Sequence, residues 1–398
     1  MGEAELSAPA DRPFTPRPLS LYFHIPFCKT RCPYCDFYST TDLARRSGFI
    51  DALVRWVESA PIEDGVFVPT VYFGGGTPYL LGTRLLQVLE AAARRFSLAP
   101  DCEITLESNP GDLEPDTLGA LRRGGFNRLS LGLQAGDAEG LKALGRRHTP
   151  DESLRAVELA RQAGFSNLSV DIMLATPGQS VDKAAALADY AANLSPEHIS
   201  AYLLKVEPGT PFYREGVQSR CPDPDLAADL YLAVCRRLGE RGYLHYEISN
   251  FARPGYESRH NLVYWDGGQY LGFGPSAASC VGGRRFRFPG DLGGMMAAKD
   301  PWRLAVDEGA SGDLTELVML SLRLSRGLDT RLVAERGGDA GRLLRRAASL
   351  ERAGYLTVRN GVVALTEEGF LVSNRIIGEL CEAAGRDDLP IHSHLSPT

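Results

Sequence analysis

The sequence has no uninterrupted apolar run that approaches the ~20 residues a helix needs to span a bilayer, although 44% of its 398 residues are hydrophobic. It has no basic excess either: the formal net charge is −7 at pH 7, whereas domains that bind nucleic-acid phosphates are normally basic. The first 18 residues lack a basic region followed by an apolar one, so they do not resemble a signal peptide. These absences predict a soluble, cytoplasmic protein that does not bind nucleic acid.

Cysteine is sparse and unevenly placed. Five of the eight cysteines are scattered without the spacing of a disulfide framework, at Cys102, Cys221, Cys235, Cys280 and Cys381. The other three fall within eight positions, at Cys28, Cys32 and Cys35. Packing explains such a concentration of thiols poorly, so a metal site is the favoured interpretation.

Three thiolates on one short loop can hold three irons of an iron–sulfur cube and leave the fourth iron without a protein ligand. Zinc is the alternative metal. A structural zinc site normally has four ligands, however, and no second Cys/His pair follows at finger-like spacing. The loop therefore predicts an iron–sulfur cluster with one iron open for chemistry.

Segments typical of strands and of helices alternate from residue 19 to residue 204. Short apolar segments predict strands at 19–25, 69–73, 103–106, 128–133, 168–173 and 198–204. Helical spacing of apolar residues predicts helices between them, at 47–58, 85–96, 115–123, 151–163 and 181–194. Such alternation implies parallel strands with crossover helices, in either an open sheet or a barrel.

The pattern changes after residue 222. A long helix is predicted at 225–241, and loops and short strands across the barrel mouth at 243–290. Three further helices and a hairpin are predicted at 314–324, 329–335, 341–353, 355–358 and 362–365, with Asn-Gly at the hairpin turn. That order is typical of a winged helix. Its arginines are offset by acidic residues, which favours capping the barrel or contacting a partner over DNA binding.

The length of the chain exceeds what one core usually spans, so we expect more than one domain. We predict a flexible N-terminal segment at 1–18 and a large domain at 19–295. A winged-helix-like domain follows at 300–383, and a tail at 384–398.

Polar residues follow several predicted strands. A glycine loop at 74–78 (Gly-Gly-Gly-Thr-Pro) follows the second strand, while Glu107, Gln134 and Asp171 end the next three, and Arg146 comes 12 positions after Gln134. Glycine lets a ligand approach the backbone, an amide both donates and accepts hydrogen bonds, and a guanidinium pairs well with a carboxylate. Taken singly, each residue is equally consistent with a turn or a surface charge.

The cysteine spacing C-x3-C-x2-C, with Tyr34 before the last cysteine, resembles the cluster loop of the radical S-adenosylmethionine (SAM) enzymes. The preceding segment 22–27 (Tyr-Phe-His-Ile-Pro-Phe) is similar to the branch around the oxygen-independent coproporphyrinogen III oxidase, HemN. Where the oxidase has a further cysteine, this sequence has Asp36-Phe37, which resembles the HemW subgroup of haem chaperones. The resemblance covers about residues 19–380. It implies an α/β fold with a partial (β/α)6 TIM-type barrel and a C-terminal winged-helix-like domain.

The resemblance also implies two cofactors, a [4Fe-4S] cluster and SAM. The cluster ligands it implies are Cys28, Cys32 and Cys35. The residues it places at SAM are Tyr22, Tyr34, Gly75, Gly76, Thr77, Glu107, Gln134, Arg146 and Asp171, with Arg147 as an alternative to Arg146. One loop departs from the family: Ala175-Thr176-Pro177-Gly178 stands where Gly-Leu-Pro-Gly is usual, and a missing glycine restricts the backbone.

A second distinctive segment is 259–265 (Arg-His-Asn-Leu-Val-Tyr-Trp). It resembles the motif proposed for haem attachment in HemW-type chaperones, and imidazole is a common haem ligand. We interpret His260 as a haem contact in a loop beside aromatic residues, although a lone histidine is more often a hydrogen-bonded structural residue.

We therefore expect a haem chaperone that hands haem to respiratory membrane proteins, associates with the membrane when it does so, and takes electrons for its cluster from a donor. Whether it forms a homodimer is left open. One alternative is the oxidase itself, in which a deoxyadenosyl radical abstracts hydrogen from porphyrinogen propionates. The other is a winged-helix regulator with a redox-sensing cluster, which would bind DNA with a steep salt dependence.

Overall fold

A computed structural model describes residues 18–385 of the chain. The predicted flexible segment, apart from residue 18, and the predicted tail beyond residue 385 lie outside these residues. The strands are β1 Leu19–Ile25, β2 Phe67–Gly75, β3 Ser97–Ser108, β4 Arg128–Gln134, β5 Leu168–Leu174, β6 His198–Leu203, β7 Leu244–Glu247, β8 Asn250–Ala252, β9 Gln269–Phe273, β10 Ala278–Val281, β11 Arg284–Arg287, β12 Val306–Ala310, β13 Leu328–Asp329, β14 Leu356–Arg359 and β15 Val362–Leu365.

The α-helices alternate with the first strands and then dominate the C-terminal part. They are α1 Arg46–Glu58, α2 Leu85–Arg95, α3 Pro115–Arg123, α4 Ala138–Ala143, α5 Pro150–Gln162, α6 Val181–Asn193, α7 Pro211–Arg214, α8 Pro224–Glu240, α9 Arg259–Trp265, α10 Leu292–Ala297, α11 Leu314–Ser321, α12 Thr330–Glu335, α13 Ala340–Arg352, α14 Glu367–Leu371 and α15 Ser373–Ala384. Short 3-10 helices occur at Leu43–Arg45, Pro78–Arg84, Pro110–Asp112, Val217–Arg220 and Pro301–Leu304.

Strands β1 to β6 lie side by side in chain order, and each pairs parallel to the next. The intervening helices are the crossovers that parallel pairing requires. This arrangement is the partial (β/α)6 barrel of the predicted fold class, and it places the ends of all six strands at one edge.

The segment 243–290 does contain the predicted short strands, but they join the sheet at both of its edges. Strand β9 pairs parallel to β1, and β10, β11 and β12 continue antiparallel from it. At the other edge β8 pairs antiparallel to β6, and β7 to β8. The parallel pairing of β9 with β1 joins residues about 250 positions apart, which no local sequence pattern can predict.

The barrel strands alternate between an apolar side and a polar side. The apolar side packs on the helices: the Phe23 ring stacks on Phe73 at 4.6 Å and on Phe273 at 5.0 Å, and Trp56 of α1 meets Phe273 edge-on. The residues between them form what we call the polar face, Ser20, Tyr22, His24, Thr70, Tyr72, Thr105, Glu107, Arg128, Ser130, Ser169, Asp171, His198 and Ser200. TIM-type barrels are usually filled by branched apolar residues, so a polar interior indicates a binding function.

Local signals in the sequence explain where the helices form. Helix α5 begins with a capping box, in which Thr149 accepts from the backbone N–H of Glu152 and Glu152 accepts from that of Thr149. Helix α2 buries Leu85, Val88 and Leu89, the spacing of one helical face.

The C-terminal part is winged-helix-like, as predicted. Helices α11, α12 and α13 precede the antiparallel pair β14–β15, and β13 completes a separate three-stranded sheet. Asn360 (φ 53°) and Gly361 (φ 79°) form the hairpin turn with the positive φ values that a two-residue loop of this kind needs. Among the described residues, no helix has both the length and the apolar character to cross a membrane.

Candidate functional site

The three clustered cysteines lie on the loop that follows β1, at the edge where the parallel strands end. The loop closes on itself: the Cys28 N–H donates to the Thr40 carbonyl at 2.9 Å, and the Thr40 N–H to the Pro26 carbonyl at 2.6 Å. A tight turn brings the Cys35 N–H to the Cys32 carbonyl at 3.1 Å. All three thiols are free and half-buried.

The three thiols interact electrostatically but are not gathered around one point. Burial raises the pKa of Cys28, and the charges of Cys35 and Cys32 raise it as well. Within residues 18–385, however, they do not form a group whose ligand atoms all lie within 4.8 Å of one another. Thiolates bound to one zinc at ~2.3 Å would lie ~4 Å apart, whereas a cube holds each thiolate on a different iron.

Arg146 lies directly behind the cluster loop. Its Nη1 donates to Cys32 Sγ at 3.3 Å and to the Tyr34 hydroxyl at 3.4 Å, and its Nη2 to Asn109 Oδ1 at 2.6 Å and the Gly132 carbonyl at 2.7 Å. Burial opposes the charge, but Tyr34 and Cys32 outweigh it and raise the pKa of Arg146. A fixed cation therefore stands beside one of the three sulfurs.

Asn109 binds one of the two neighbouring arginines. It accepts from Arg146, and its Nδ2 donates to Thr77 Oγ1 at 3.0 Å, so it links Arg146 to the glycine loop. Arg147 donates to Thr30 Oγ1 of the cluster loop at 3.2 Å in an exposed position. Both arginines therefore contact the cluster loop, Arg146 at a cysteine sulfur from a part-buried position and Arg147 at a hydroxyl from the exposed side.

The glycine loop is hydrogen-bonded to the cluster loop. The Gly76 N–H donates to the Ile25 carbonyl at 2.8 Å, and the Thr77 N–H to the Phe27 carbonyl at 2.7 Å. Thr77 Oγ1 lies 3.9 Å from Cys28 Sγ, within the range of a hydrogen bond to sulfur. A Cβ on Gly76 would lie 2.8 Å from both carbonyl oxygens, so only glycine permits this approach.

Gly75 is held between a histidine and a carboxylate. It has a φ of 105°, and a Cβ there would lie 2.6 Å from the His24 ring. Its N–H donates to Glu107 Oε2 at 3.1 Å. His24 is itself fixed by the Tyr22 hydroxyl at 3.1 Å and the Tyr38 carbonyl at 2.8 Å, so Tyr22 supports the glycine loop through His24.

The two predicted acids share the polar face. The Tyr72 hydroxyl donates to Glu107 Oε1 at 2.7 Å, and Ser130 Oγ lies 3.4 Å from Asp171 Oδ1. Burial, together with the charge of Asp171, raises the pKa of Glu107 to about 7. Burial also raises the pKa of Asp171. Both acids therefore respond to any positive group that binds between them.

Gln134 ends β4 in a strained conformation. Its φ is 68°, which is uncommon for a residue other than glycine and costs about 1 kcal/mol or more. Its Oε1 is buried without a hydrogen-bond partner. A strained residue with an unpartnered acceptor is typical of a ligand-binding position.

Ala175, at the departure from the family loop, also has a left-handed conformation, with a φ of 55° and 5% exposure. The backbone thus keeps the conformation that glycine allows.

The sequence analysis placed His260 in a loop, and this prediction is wrong. His260 lies in helix α9 and is 1% exposed. Its Nδ1 is hydrogen-bonded to Thr70 Oγ1 and its Nε2 to the Tyr264 hydroxyl, both at 2.8 Å. Burial lowers its pKa to about 3. Both ring nitrogens are thus engaged, and in this arrangement neither is available to a haem iron. Its ring instead stacks on Tyr72 at 5.0 Å.

Several residues of the site escaped the sequence analysis. His24 lies two positions after Tyr22, and Tyr72 two positions before the glycine loop at 74–78. Because alternate residues of a strand share a face, strand alternation could have predicted both. Asn109 follows Glu107 by two positions in the same way. Arg128 is 2% exposed and its Nε has no hydrogen-bond partner, while Glu247 is 1% exposed with both oxygens unpartnered. No local pattern marks these last two.

Comparison with known proteins agrees with this geometry. The radical SAM superfamily matches residues 22–191, and the HemN C-terminal domain matches residues 313–372. The heme chaperone HemW of Mycobacterium tuberculosis is 37% identical over 390 residues, which cover 95% of this chain and 98% of that protein. The heme chaperone HemW of Escherichia coli is 40% identical over 265 residues, which cover 65% of this chain and 69% of that protein.

A solved structure with a similar fold is the coproporphyrinogen III oxidase HemN from Escherichia coli. Its TM-score is 0.77 at 24% identity, and the match covers 93% of this chain and 90% of that one. This likeness concerns the fold of the barrel and the C-terminal part together.

Proposed function

The chain belongs to the HemW family of radical SAM proteins, and from that premise we propose that it is a haem chaperone, which binds haem and delivers it to haem-dependent respiratory proteins. The observation that carries the proposal is the similarity over nearly the full length of both chains, 37% identity across 95% and 98%. The presence of Asp36-Phe37 where the oxidase has a further cysteine supports the same assignment.

The donor set of the cluster loop fits a [4Fe-4S] cluster. Cys28, Cys32 and Cys35 would hold three irons, and the Arg146 guanidinium beside Cys32 would offset the negative charge of the thiolates. Thr77 would fix the Cys28 sulfur by its weak hydrogen bond. When bound, the cluster would supply an open iron that SAM can chelate and an electron that can be passed to SAM.

The polar face beside the loop fits SAM. Gly75 and Gly76 let the loop pack against His24 and the cluster loop. Glu107, which accepts from the Gly75 N–H, is a half-buried acid suited to an ammonium or sulfonium group. Gln134 Oε1 offers an unpartnered acceptor, and Asp171 offers a carboxylate for ribose hydroxyls. Tyr22 and Tyr34 hold the two sides of this pocket through His24 and Arg146.

A haem contact at His260 requires one ring nitrogen to leave Thr70 or Tyr264. Because the ring is 1% exposed, it also requires helix α9 or its neighbours to move. An anaerobic haem titration of the cluster-loaded wild type and of His260→Ala tests this, with the content of iron–sulfur cluster measured in parallel before haem is added. A direct contact predicts weaker haem binding with an unchanged cluster content.

The matched control is His198→Ala, because His198 is also 1% exposed and hydrogen-bonded at both nitrogens, to Ser169 and Tyr246 at 2.8 Å. It should keep its haem affinity. Equal losses in both variants would show that His260 acts only through packing, and a wild type that binds no haem would overturn the chaperone proposal.

Delivery of haem is tested by transfer. Protein loaded with haem should reconstitute an apo-form of a respiratory membrane haem protein, and it should do so faster with vesicles present if delivery takes place at a membrane. An electron donor for the cluster and a homodimer complete the proposal and are tested by reduction kinetics and by the mass in solution. Formation of protoporphyrinogen from coproporphyrinogen by the reconstituted protein would instead establish the oxidase alternative.

A further inference from the structure

Three side chains with metal-binding chemistry meet far from the cluster loop. They are Cys235 of α8, His245 of β7 and Glu367 at the start of α14, and one ligand atom of each lies within 4.8 Å of the other two. Among residues 18–385, this is the one group of three or more cysteine, histidine and acidic side chains that meets this criterion. It joins the barrel, through α8 and β7, to the C-terminal part, through α14.

The surroundings of the group hold the imidazole in place. The His245 ring stacks on Phe251 at 4.3 Å, with Phe370 at 5.1 Å on another side. The Tyr231 hydroxyl lies 3.3 Å from its Nε2 and donates to the Ile248 carbonyl at 2.8 Å. A partner at one ring nitrogen fixes the orientation of the imidazole and leaves the other nitrogen for a metal ion, which is the role such partners have around metal-bound histidines.

The one charge of the group is the Glu367 carboxylate, and both Glu368 and Arg236 act on it. Burial raises the pKa of the Cys235 thiol, and the nearby Glu367 carboxylate raises it further. Burial lowers the pKa of His245 to about 4, so its imidazole is neutral at pH 7 and carries a lone pair. A buried cysteine is often only a packing residue, but packing gives no reason for a carboxylate to approach the thiol.

We propose that Cys235, His245 and Glu367 bind a divalent metal ion of the zinc class, which fastens the C-terminal part of the chain to the barrel. Thiolate, imidazole and carboxylate are the ligands zinc takes, at ~2.0–2.3 Å. Ligand atoms around such an ion lie ~3.5–4 Å apart, so the three groups need to close by about an ångström or less. Cys235 is 2% exposed whereas Glu367 is exposed, so the fourth coordination position faces solvent and takes water.

Metal content of the full-length protein tests the site. The cluster is first reconstituted anaerobically so that Cys28, Cys32 and Cys35 are occupied, then Zn²⁺ is added and excess is removed by dialysis. Elemental analysis should find about one zinc per chain beyond the iron, and zinc-edge X-ray absorption should show one sulfur among nitrogen and oxygen ligands.

Two variants probe the ligands separately. Cys235→Ser should lose the zinc, and Glu367→Gln should bind it at least ~10-fold more weakly because a carboxylate ligand is replaced. Since Glu367 is exposed, its variant should fold normally even if Cys235→Ser does not. Cys381→Ser removes a half-buried thiol of the C-terminal helix α15 and is the control that should keep the full zinc content.

The fastening has its own readout. Zinc should raise the melting temperature of the wild type and of Cys381→Ser, and slow proteolysis between barrel and C-terminal part, but should do neither in Glu367→Gln at the same concentration. The proposal is overturned if the wild type retains no zinc, or if zinc content is the same in all four proteins. Neither result bears on haem binding, so the two proposals stand or fall separately.

Discussion

Ala175 occupies a left-handed backbone conformation (φ 55°) that its side chain disfavours. The conformation costs about 1–2 kcal/mol for a residue with a Cβ. Glycine, in turn, lowers the free energy of the unfolded chain by about 0.4–1 kcal/mol through its greater conformational entropy. We therefore expect Ala175→Gly to raise the free energy of unfolding by about 0.5–1 kcal/mol, measured by chemical denaturation.

The control for Ala175→Gly is Ala188→Gly, at a fully buried position of helix α6. Here glycine brings no relief and should destabilise by about 1 kcal/mol or more. If both variants lose stability to the same extent, the strain at Ala175 is not real.

Glu107 makes stability depend on pH. Its folded pKa is raised by burial to about 7 from an ordinary 4.5, so the folded cofactor-free protein holds the proton more tightly than the unfolded chain. Its contribution is fully present below pH 4.5 and is lost as pH rises through about 7. This amounts to on the order of 3 kcal/mol.

Replacing the acid should remove that dependence. Between pH 4.5 and pH 7.5, the stability of Glu107→Gln relative to wild type should rise steadily, because other titrating groups cancel in the difference. Urea denaturation at several pH values measures it. A difference that stays flat would mean that Glu107 is ordinary in its acidity and does not sit in a water-poor pocket.

At the scale of elements, the crossover pattern predicted β1 to β6 and their helices well, because each strand is a short apolar segment and each helix shows a buried stripe. Helix α9 was not predicted. Its seven residues are too few for a periodic pattern, and its place depends on a residue about 156 positions earlier, Glu103, which accepts from the Arg259 N–H at 3.2 Å and the His260 N–H at 3.1 Å.

Glu103 therefore controls helix α9. Glu103→Ala leaves the buried His260 N–H and the part-buried Arg259 N–H without their acceptor. We expect it to lower the free energy of unfolding by about 1–3 kcal/mol and to speed hydrogen exchange in α9. The control is Asp101→Ala, which removes the exposed ion pair to Arg259 at 3.2 Å and should cost about 0–1 kcal/mol. Equal losses of stability in the two variants would mean that the hydrogen bonds from helix α9 to Glu103 stabilise the protein no more than an exposed ion pair does.

On the scale of the whole molecule, the site is assembled from strands β1 to β5 and the loops that follow them. Ligand binding should therefore stabilise the entire barrel. SAM at 100-fold its dissociation constant should add about 2.7 kcal/mol to the stability of cluster-loaded protein, visible as a higher melting temperature under anaerobic conditions.

Cys32→Ala should abolish that gain, since it removes a cluster ligand and the partner of Arg146. Cys381→Ala should leave it intact. A complete cluster in the Cys32→Ala protein, shown by four irons per chain, would contradict the assignment of the three ligands.

The sequence predicted features that depend on neighbouring residues and missed features that depend on contacts between residues far apart in the chain. Motifs such as the cysteine loop and the glycine loop are local, and they identified the site. The pairing of β9 with β1 and the burial of His260 against Thr70 join residues far apart. His260 shows the consequence: its neighbours Asn261 and Tyr264 matched a binding motif, but only the packed barrel shows that its ring points inward.

The polar face has a consequence for the lifetime of the protein in air. Its acids and its arginine, with the unpartnered amide oxygen of Gln134, lie where the cluster and SAM would bind, and oxygen can remove both because iron–sulfur cubes exposed to solvent are oxidised. The chain that remains has desolvated charges without a bound partner, so it is less stable and opens more often, and cellular proteases cleave such open forms. We expect aeration to shorten the half-life of the protein in cells, so that its abundance should fall with exposure to oxygen.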